Sequence, residues 1–296
     1  MATSRLPPAG LLLLGLLSLG WGINWPVMKI VIADIPRWIF RGDSLVLASL
    51  GLFAVAAASG LSLRIPRGRL PQVCAMAAFN ISGWNMLAIY GVSLLPSGRA
   101  AILGYTMPLW SALLSAWLLD EPLTRRRLAG LALGMGGMAL LIGAEIAALQ
   151  VAPLGTAFML AAAISWAGGL VIYKRDPIPM AMAPLTAWQM LLGGIPVALE
   201  GHALEVVDWG QVGLWPWVGF WYNVFVALLF CYWAWNTLVD MFPAAVSALG
   251  SLIVPVVGVF SGMLILGEAP RWQDFAALAL VLGALATVLL PARPPR

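Results

Sequence analysis

The chain says the same thing twice, and that repeat limits what it can fold into. Pro96-Ser97-Gly98-Arg99-Ala100-Ala101, then Pro108, then Asp120-Glu121-Pro122, lead into a glycine-rich stretch through Gly130, Gly134, Gly136 and Gly137. Further along come Pro243-Ala244-Ala245-Val246-Ser247-Ala248, Pro255, Gly267-Glu268-Ala269-Pro270 and a small-residue stretch through Gly283. Pro96 falls on Pro243, Pro108 on Pro255, Glu121 on Glu268 and Gly136 on Gly283 at one constant offset. The fronts of the halves echo at a slightly shorter one, with Pro8, Trp21 and Lys29 against Pro153, Trp166 and Lys174. Two units of one design, 1–148 and 149–296, are expected.

Each unit is apolar almost throughout. Hydrophobic residues make up 62% of the chain and charged residues 9%, against roughly 25% charge in ordinary soluble chains. The apolar runs are too long and continuous for alternating barrel strands, so the class is an all-α membrane protein. With about 20 apolar residues needed to cross a bilayer, the spans read as 9–32, 38–60, 70–93, 97–119, 127–147, 153–173, 183–202, 213–238, 243–266 and 272–291. Arg5 precedes the first run in the manner of a signal peptide, but that run passes Ile23 without a clean cleavage site and is kept as a span. The boundaries at Asp34-Ile35-Pro36-Arg37, Arg64-Ile65-Pro66-Arg67-Gly68-Arg69, Leu95-Pro96-Ser97 and Lys174-Arg175-Asp176-Pro177 are polar, proline-marked turns.

Basic residues set the orientation. With both termini cytoplasmic, that side holds Arg5, Arg64, Arg67, Arg69, Arg125, Arg126, Arg127, Lys174, Arg175, Arg293 and Arg296, while Lys29, Arg37, Arg41, Arg99 and Arg271 fall outside or at its margin. The net charge of +4 is thus a topology signal and calls for no nucleic-acid partner. Ten helices divided into two fives have a geometric consequence: an odd number of crossings turns the second unit upside down. The expectation is two inverted five-helix repeats, which place a site near the midplane and suit alternating access. Such an integral protein of the cytoplasmic (inner) membrane has the lipid bilayer as its constant partner; the oligomeric state stays open, a monomer included.

Polar groups inside the spans are few, so each is a candidate. The first span offers Trp21, Asn24 and Pro26; the third Asn80 and Trp84, four apart on one face; the fourth Tyr105, Pro108 and Trp110. Later spans add Trp166, Trp188, Gln189, Tyr232 and Asn236. Of the fifteen tryptophans, Trp38, Trp209, Trp215, Trp217 and Trp272 fall near span ends, as interfacial anchors do. Trp21, Trp84, Trp110 and Trp166 fall near mid-depth, where helix packing and the lining of an aromatic-walled pocket are equally open readings. Pro26, Pro108 and Pro255 are candidate hinges or tolerated kinks. The glycine runs read as close-packing surfaces first, Glu121 and Glu268 as caps or solvated residues, and Cys74 and Cys231 as core residues rather than a disulfide or metal pair.

No Asp, Glu, Lys or His stands clearly at the centre of a span; the one histidine, His202, ends a helix. That pattern favours passive, gradient-driven transport over proton coupling, unless peripheral groups such as Asp43 or Arg41 serve. No phosphate-binding loop, nucleophile elbow or metal-ligand spacing is present in the sequence, so neither an ATP motor nor a hydrolase is supported, and no cofactor or metal is expected.

Two five-span halves, each with a Pro-containing helix, an acidic turn (Asp120-Glu121-Pro122 and Gly267-Glu268-Ala269-Pro270) and a Gly/Ala-rich helix, resemble the EamA-type members of the drug/metabolite transporter superfamily. The resemblance covers nearly the whole chain and is clearest at 96–143 and 243–290. Within that superfamily the chain is similar to YddG-type exporters. The resemblance implies ten helices around a central cavity and export of aromatic and other neutral amino acids. Beside it, an exporter of another small metabolite or drug, with or without proton coupling, is the alternative, and a non-transporting membrane scaffold is the alternative class. The halves are not identical, since Gly168 and Gly169 stand where the first half has Ile23 and Asn24.

Overall fold

The computed structural model describes residues 8–120, 125–147, 153–241 and 244–289, and among these not every side chain, that of Asn236 being outside the described set. All regular structure among the described residues is helical. In chain order the elements are α1 (Pro8–Val31), α2 (Arg37–Ala58), α3 (Leu70–Met76), π1 (Ala77–Gly83), α4 (Trp84–Leu94), α5 (Ser97–Gly104), α6 (Met107–Leu118), α7 (Arg125–Ala147), α8 (Pro153–Arg175), α9 (Met182–Leu204), α10 (Leu214–Tyr222), π2 (Asn223–Phe230), α11 (Cys231–Met241), α12 (Ala244–Leu266) and α13 (Trp272–Leu289). Helix ends fall within a few residues of the expected span ends. Seven described segments are long and apolar enough to cross a bilayer, and Leu128–Gly137, Ile253–Leu266 and Trp272–Ala284 are shorter apolar stretches.

The helices do not enclose one another. Between 44% and 56% of each long span is buried, so every one keeps a second face outward. That outward face carries bulky apolar groups such as Leu12, Trp117, Leu199 and Leu264, which water would not tolerate in such numbers and lipid does. This is an integral membrane protein. Cys74, expected in the core, lies on this exposed face of α3; only Cys231 is buried, and both are free thiols.

The two repeated units interlock rather than sit side by side. α1 packs along α12 and against π2 and α11, while α8 packs along α4, π1 and α6. α2 lies along α9, and α7 along α13. At the α2–α9 crossing a Cβ on Gly42 would run into the Ala198 backbone, so only glycine permits that approach.

The repeat is written into the backbone as well. Asp120 and Gly267 stand at equivalent places, each just before the repeated glutamate, and both adopt left-handed conformations, at φ 54° and 65°. Glycine reaches that region freely and aspartate is one of the few other residues that visits it. Both third spans also carry a π-helical segment at matching places, π1 and π2.

One expected span is interrupted. The helix expected over 97–119 stops at Gly104 and restarts at Met107, with a turn at Tyr105–Thr106. Pro108 lies in the first turn of α6, where its missing N–H costs nothing. By contrast α1 runs unbroken past Pro26 and α12 past Pro255. Of the three hinge candidates, only Pro108 borders a helix break.

Candidate aromatic site between the repeated units

Near the middle of the bundle two similar clusters form, each joining the first helix of one unit to the π segment of the other. In the first, Trp21 on α1 meets Tyr232 on α11 edge to face, with ring centroids 5.7 Å apart, and Trp235 at 5.9 Å. The Trp21 indole Nε1 donates to the Ala227 carbonyl within π2 at 2.9 Å. In the second, Trp84 on α4 meets Trp166 on α8 edge to face at 5.4 Å. Here the Asn80 side chain, within π1, donates through Nδ2 to the Trp166 carbonyl at 2.9 Å. A π segment widens the turn and loosens the internal ladder, leaving backbone groups that side chains from a neighbour can bond. Gly169 belongs to this second cluster for a steric reason: a Cβ there would occupy the place of the Asn80 amide.

Tyr105 sits at the break between α5 and α6, 5% exposed, packed in the main apolar core. The break itself is held by side chains: Thr106 Oγ1 donates to the Leu103 carbonyl at 2.6 Å, and Trp110 Nε1 donates to Thr106 Oγ1 at 3.2 Å. Trp110 is partly buried against the main core. Asn24 lies one turn beyond Trp21, and its Oδ1 is buried without a partner among the described residues.

Not every expected residue joins these clusters. Trp188 donates to the Leu63 carbonyl at 2.7 Å and stacks edge-on with Phe53 at 5.0 Å, in a separate apolar cluster with Val73, Met76, Ile178 and Leu185. It fastens the loop between α2 and α3. Gln189, its neighbour, is buried on α9. Asn236 belongs to α11, and its side chain lies outside the described residues.

Several polar contacts were not legible in the sequence. At the end of the bundle bearing the α1–α2 turn, Glu268 accepts from Ser97 N at 2.7 Å, from Ser97 Oγ at 2.9 Å and from Gly98 N at 3.3 Å, and pairs with Lys29 at 3.3 Å. A carboxylate on free N–H groups at a helix start is well placed electrostatically. Glu268, expected as a cap or a solvated residue, sits on the start of α5 and not on the helix that it follows; Glu121 lies outside the described residues. Beside it Arg99 Nε meets Asp274 Oδ1 at 2.8 Å and Nη2 meets Oδ2 at 3.3 Å, both side chains buried. Glu205 caps α2 through Trp38 N and Ile39 N at 2.9 and 3.1 Å. At the opposite end the exposed Arg69 and Asp176 form an ion pair; it raises the arginine's pKa and lowers the carboxyl's, chiefly through their hydrogen bond. Among the described residues no cluster could hold a metal ion.

The model of the EamA-like transporter family matches this chain twice, over residues 8–143 and 153–290. The chain belongs to that family. It is 29% identical to a "Probable amino-acid metabolite efflux pump" of Salmonella typhimurium over 90% of this chain and 89% of that protein. An "S-adenosylmethionine/S-adenosylhomocysteine transporter" of Chlamydia trachomatis is 25% identical over 89% of this chain and 84% of its own length. A solved crystal structure superposes with a TM-score of 0.68 at 23% identity, covering 94% of this chain and 96% of the other, which speaks to the fold.

Proposed function

We propose that this family member exports amino acids, aromatic and other neutral ones preferred, by alternating access. The observation that carries the reading is the pair of Trp-centred clusters, Trp21–Tyr232 and Trp84–Trp166, each bonded to a π segment of the other unit. Two aromatic walls with amide groups beside them suit a small solute with one apolar face and a few polar groups. Similarity over nine-tenths of the chain to a protein named as an amino-acid metabolite efflux pump supports that solute class.

In this proposal residues 1–148 and 149–296 are inverted five-helix repeats, with ten crossings and both termini at the cytoplasmic face of the inner membrane. Trp21, Asn24, Asn80, Trp84, Tyr105, Trp110, Trp166 and Tyr232 bind substrate, and the Tyr105–Thr106 break beside Pro108 is the hinge. Ties at the α1–α2 end, the buried Arg99–Asp274 pair and the partly buried Glu268 with Lys29 and Ser97, support closure there, which is the outer end in this orientation. Transport is passive, driven by the solute gradient.

The test is efflux of radiolabelled phenylalanine from preloaded proteoliposomes with neither ATP nor an ion gradient. Specific efflux slowed by excess unlabelled tryptophan is the expected result; none from folded protein rejects the reading. The relative named for S-adenosylmethionine supports a second solute, since an adenine ring also suits aromatic walls. Loading with labelled S-adenosylmethionine in the same vesicles separates the two.

A further inference from the structure

Arg41 lies on α2 one turn beyond its first residue, Arg37, and is 3% exposed. An arginine stays charged, so a buried one calls for an anion or a full set of acceptors. Arg41 has neither among the described residues. Its Nη1 donates to Asn223 Oδ1 at 3.1 Å, and Asn223 is held in that pose by its own Nδ2, which donates to the Gly219 carbonyl at 3.2 Å. Its Nη2 lies against the Met28 thioether, a weak acceptor, its guanidinium carbon sits over the Phe40 ring at 4.7 Å, and its Nε has no hydrogen-bond partner among the described residues. Nε and Nη2 form one edge of the guanidinium, and that edge accepts a carboxylate through two parallel hydrogen bonds. Arg99 displays the geometry in the same molecule, with Nε and Nη2 on the two oxygens of Asp274.

The facing helix supplies the complement. Met28, Asn24 and Trp21 fall at helical spacing on one side of α1. Met28 touches Arg41, Asn24 Oδ1 is a buried acceptor without a donor among the described residues, and Trp21 packs on Tyr232. A donor edge, an acceptor about one turn away and an aromatic wall beside them match a carboxylate, an ammonium and an apolar side chain.

We infer that Arg41 binds the α-carboxylate of the transported solute and Asn24 its α-ammonium, with Asn223 positioning the guanidinium. The inference deepens the amino-acid reading and rests on it for the ammonium; the carboxylate site stands on Arg41 alone.

The test is ligand-induced thermal stabilisation of the purified full chain by phenylalanine, phenylalaninamide, 3-phenylpropionate and phenethylamine. Hydrogen bonds to a charged group are each worth enough that losing the carboxylate is expected to weaken binding roughly tenfold or more. Wild-type protein should therefore bind phenylalanine and phenylpropionate well above the amide and the amine. In Arg41→Gln the preference for the acid over the amide should collapse to near one. In Asn24→Ala, phenylalanine should weaken while phenylpropionate does not. Melting without ligand confirms that each variant is folded, and Arg41→Lys, which keeps the charge and loses the fork, should recover only part of the preference. An acid preference that survives Arg41→Gln, or wild-type protein that ignores both carboxylates, overturns the assignment. Binding of phenylpropionate but not phenylalanine, lost in Arg41→Gln, keeps the carboxylate site and rejects the amino-acid reading.

Discussion

Two buried arginines divide the labour differently. Arg99, at the start of α5, spends its Nε–Nη2 edge on Asp274 of α13, and Asp274 also accepts from the Arg271 N–H at 2.7 Å. Arg41, at the start of α2, turns the same edge toward a thioether and leaves Nε without a partner among the described residues. Both sit near the end of the bundle that carries the α1–α2 turn. Where helices α5 and α13 of the two units meet, the chain supplies its own carboxylate. Where the inference above has a solute pass, it supplies only the cation.

That contrast is sharpest in stability. Removing Asp274 strands the buried Arg99 charge, and Asp274→Ala is expected to cost roughly 3–5 kcal/mol, read as a large fall in melting temperature. Arg41→Gln removes a charge with no anion and should stay within about 1 kcal/mol of wild type. An equal loss in both variants would make Arg41 a structural residue and erase the distinction.

A smaller effect is expected at Glu268, which joins α1, α5 and the end of α12. Glu268→Gln keeps one acceptor and loses the pairing with Lys29, for about 1 kcal/mol. If its tie is part of a gate, efflux should change by more than this stability loss accounts for; unchanged efflux would leave it a cap alone. Trp84→Ala removes one edge-to-face partner, about 0.5–1.5 kcal/mol beyond lost area, and should slow phenylalanine efflux severalfold at normal expression. Full flux in Trp84→Ala would return that cluster to packing.

The smallest effect belongs to the opposite end. Asp176 has a folded pKa below its ordinary 3.8, so its contribution is complete above that value and disappears as pH falls through the lower folded one. Arg69 is charged throughout that window. The stability difference between wild type and Asp176→Asn should shrink on acidification; a constant difference would mean that the pair is idle.

Much of the architecture could be read before any coordinates. Apolar length placed the spans, because a bilayer requires backbone groups to be satisfied within each helix. The repeat foretold matching turns, and Asp120 and Gly267 share their left-handed backbone. The break in one span and not in its counterpart was harder to see. Pro108 and Pro255 are equivalent, yet only the first borders a break, where Thr106 turns its hydroxyl onto the Leu103 carbonyl. Ile253 stands at the equivalent place and has no hydroxyl to compete with the helix.

Site residues divided along the same line. Trp21, Trp84, Trp166 and Asn80 stood out by type and depth, and they do meet across the units. Trp188 was a candidate by type alone, and its indole secures the α2–α3 loop. Residue type and depth carry no information about which side of a helix faces which neighbour.

Sequence alone therefore determined the class of protein, its twofold plan and the shortlist of polar groups, all consequences of composition and periodicity along one dimension. Tertiary structure decided which of those groups have partners. Arg99 and Asp274 lie far apart in the chain and become one ion pair only when α5 and α13 approach. That the Nε–Nη2 edge of Arg41 meets no carboxylate among the described residues is likewise a fact about the neighbours that folding brings to it, and no property of position 41 on its own could have announced it.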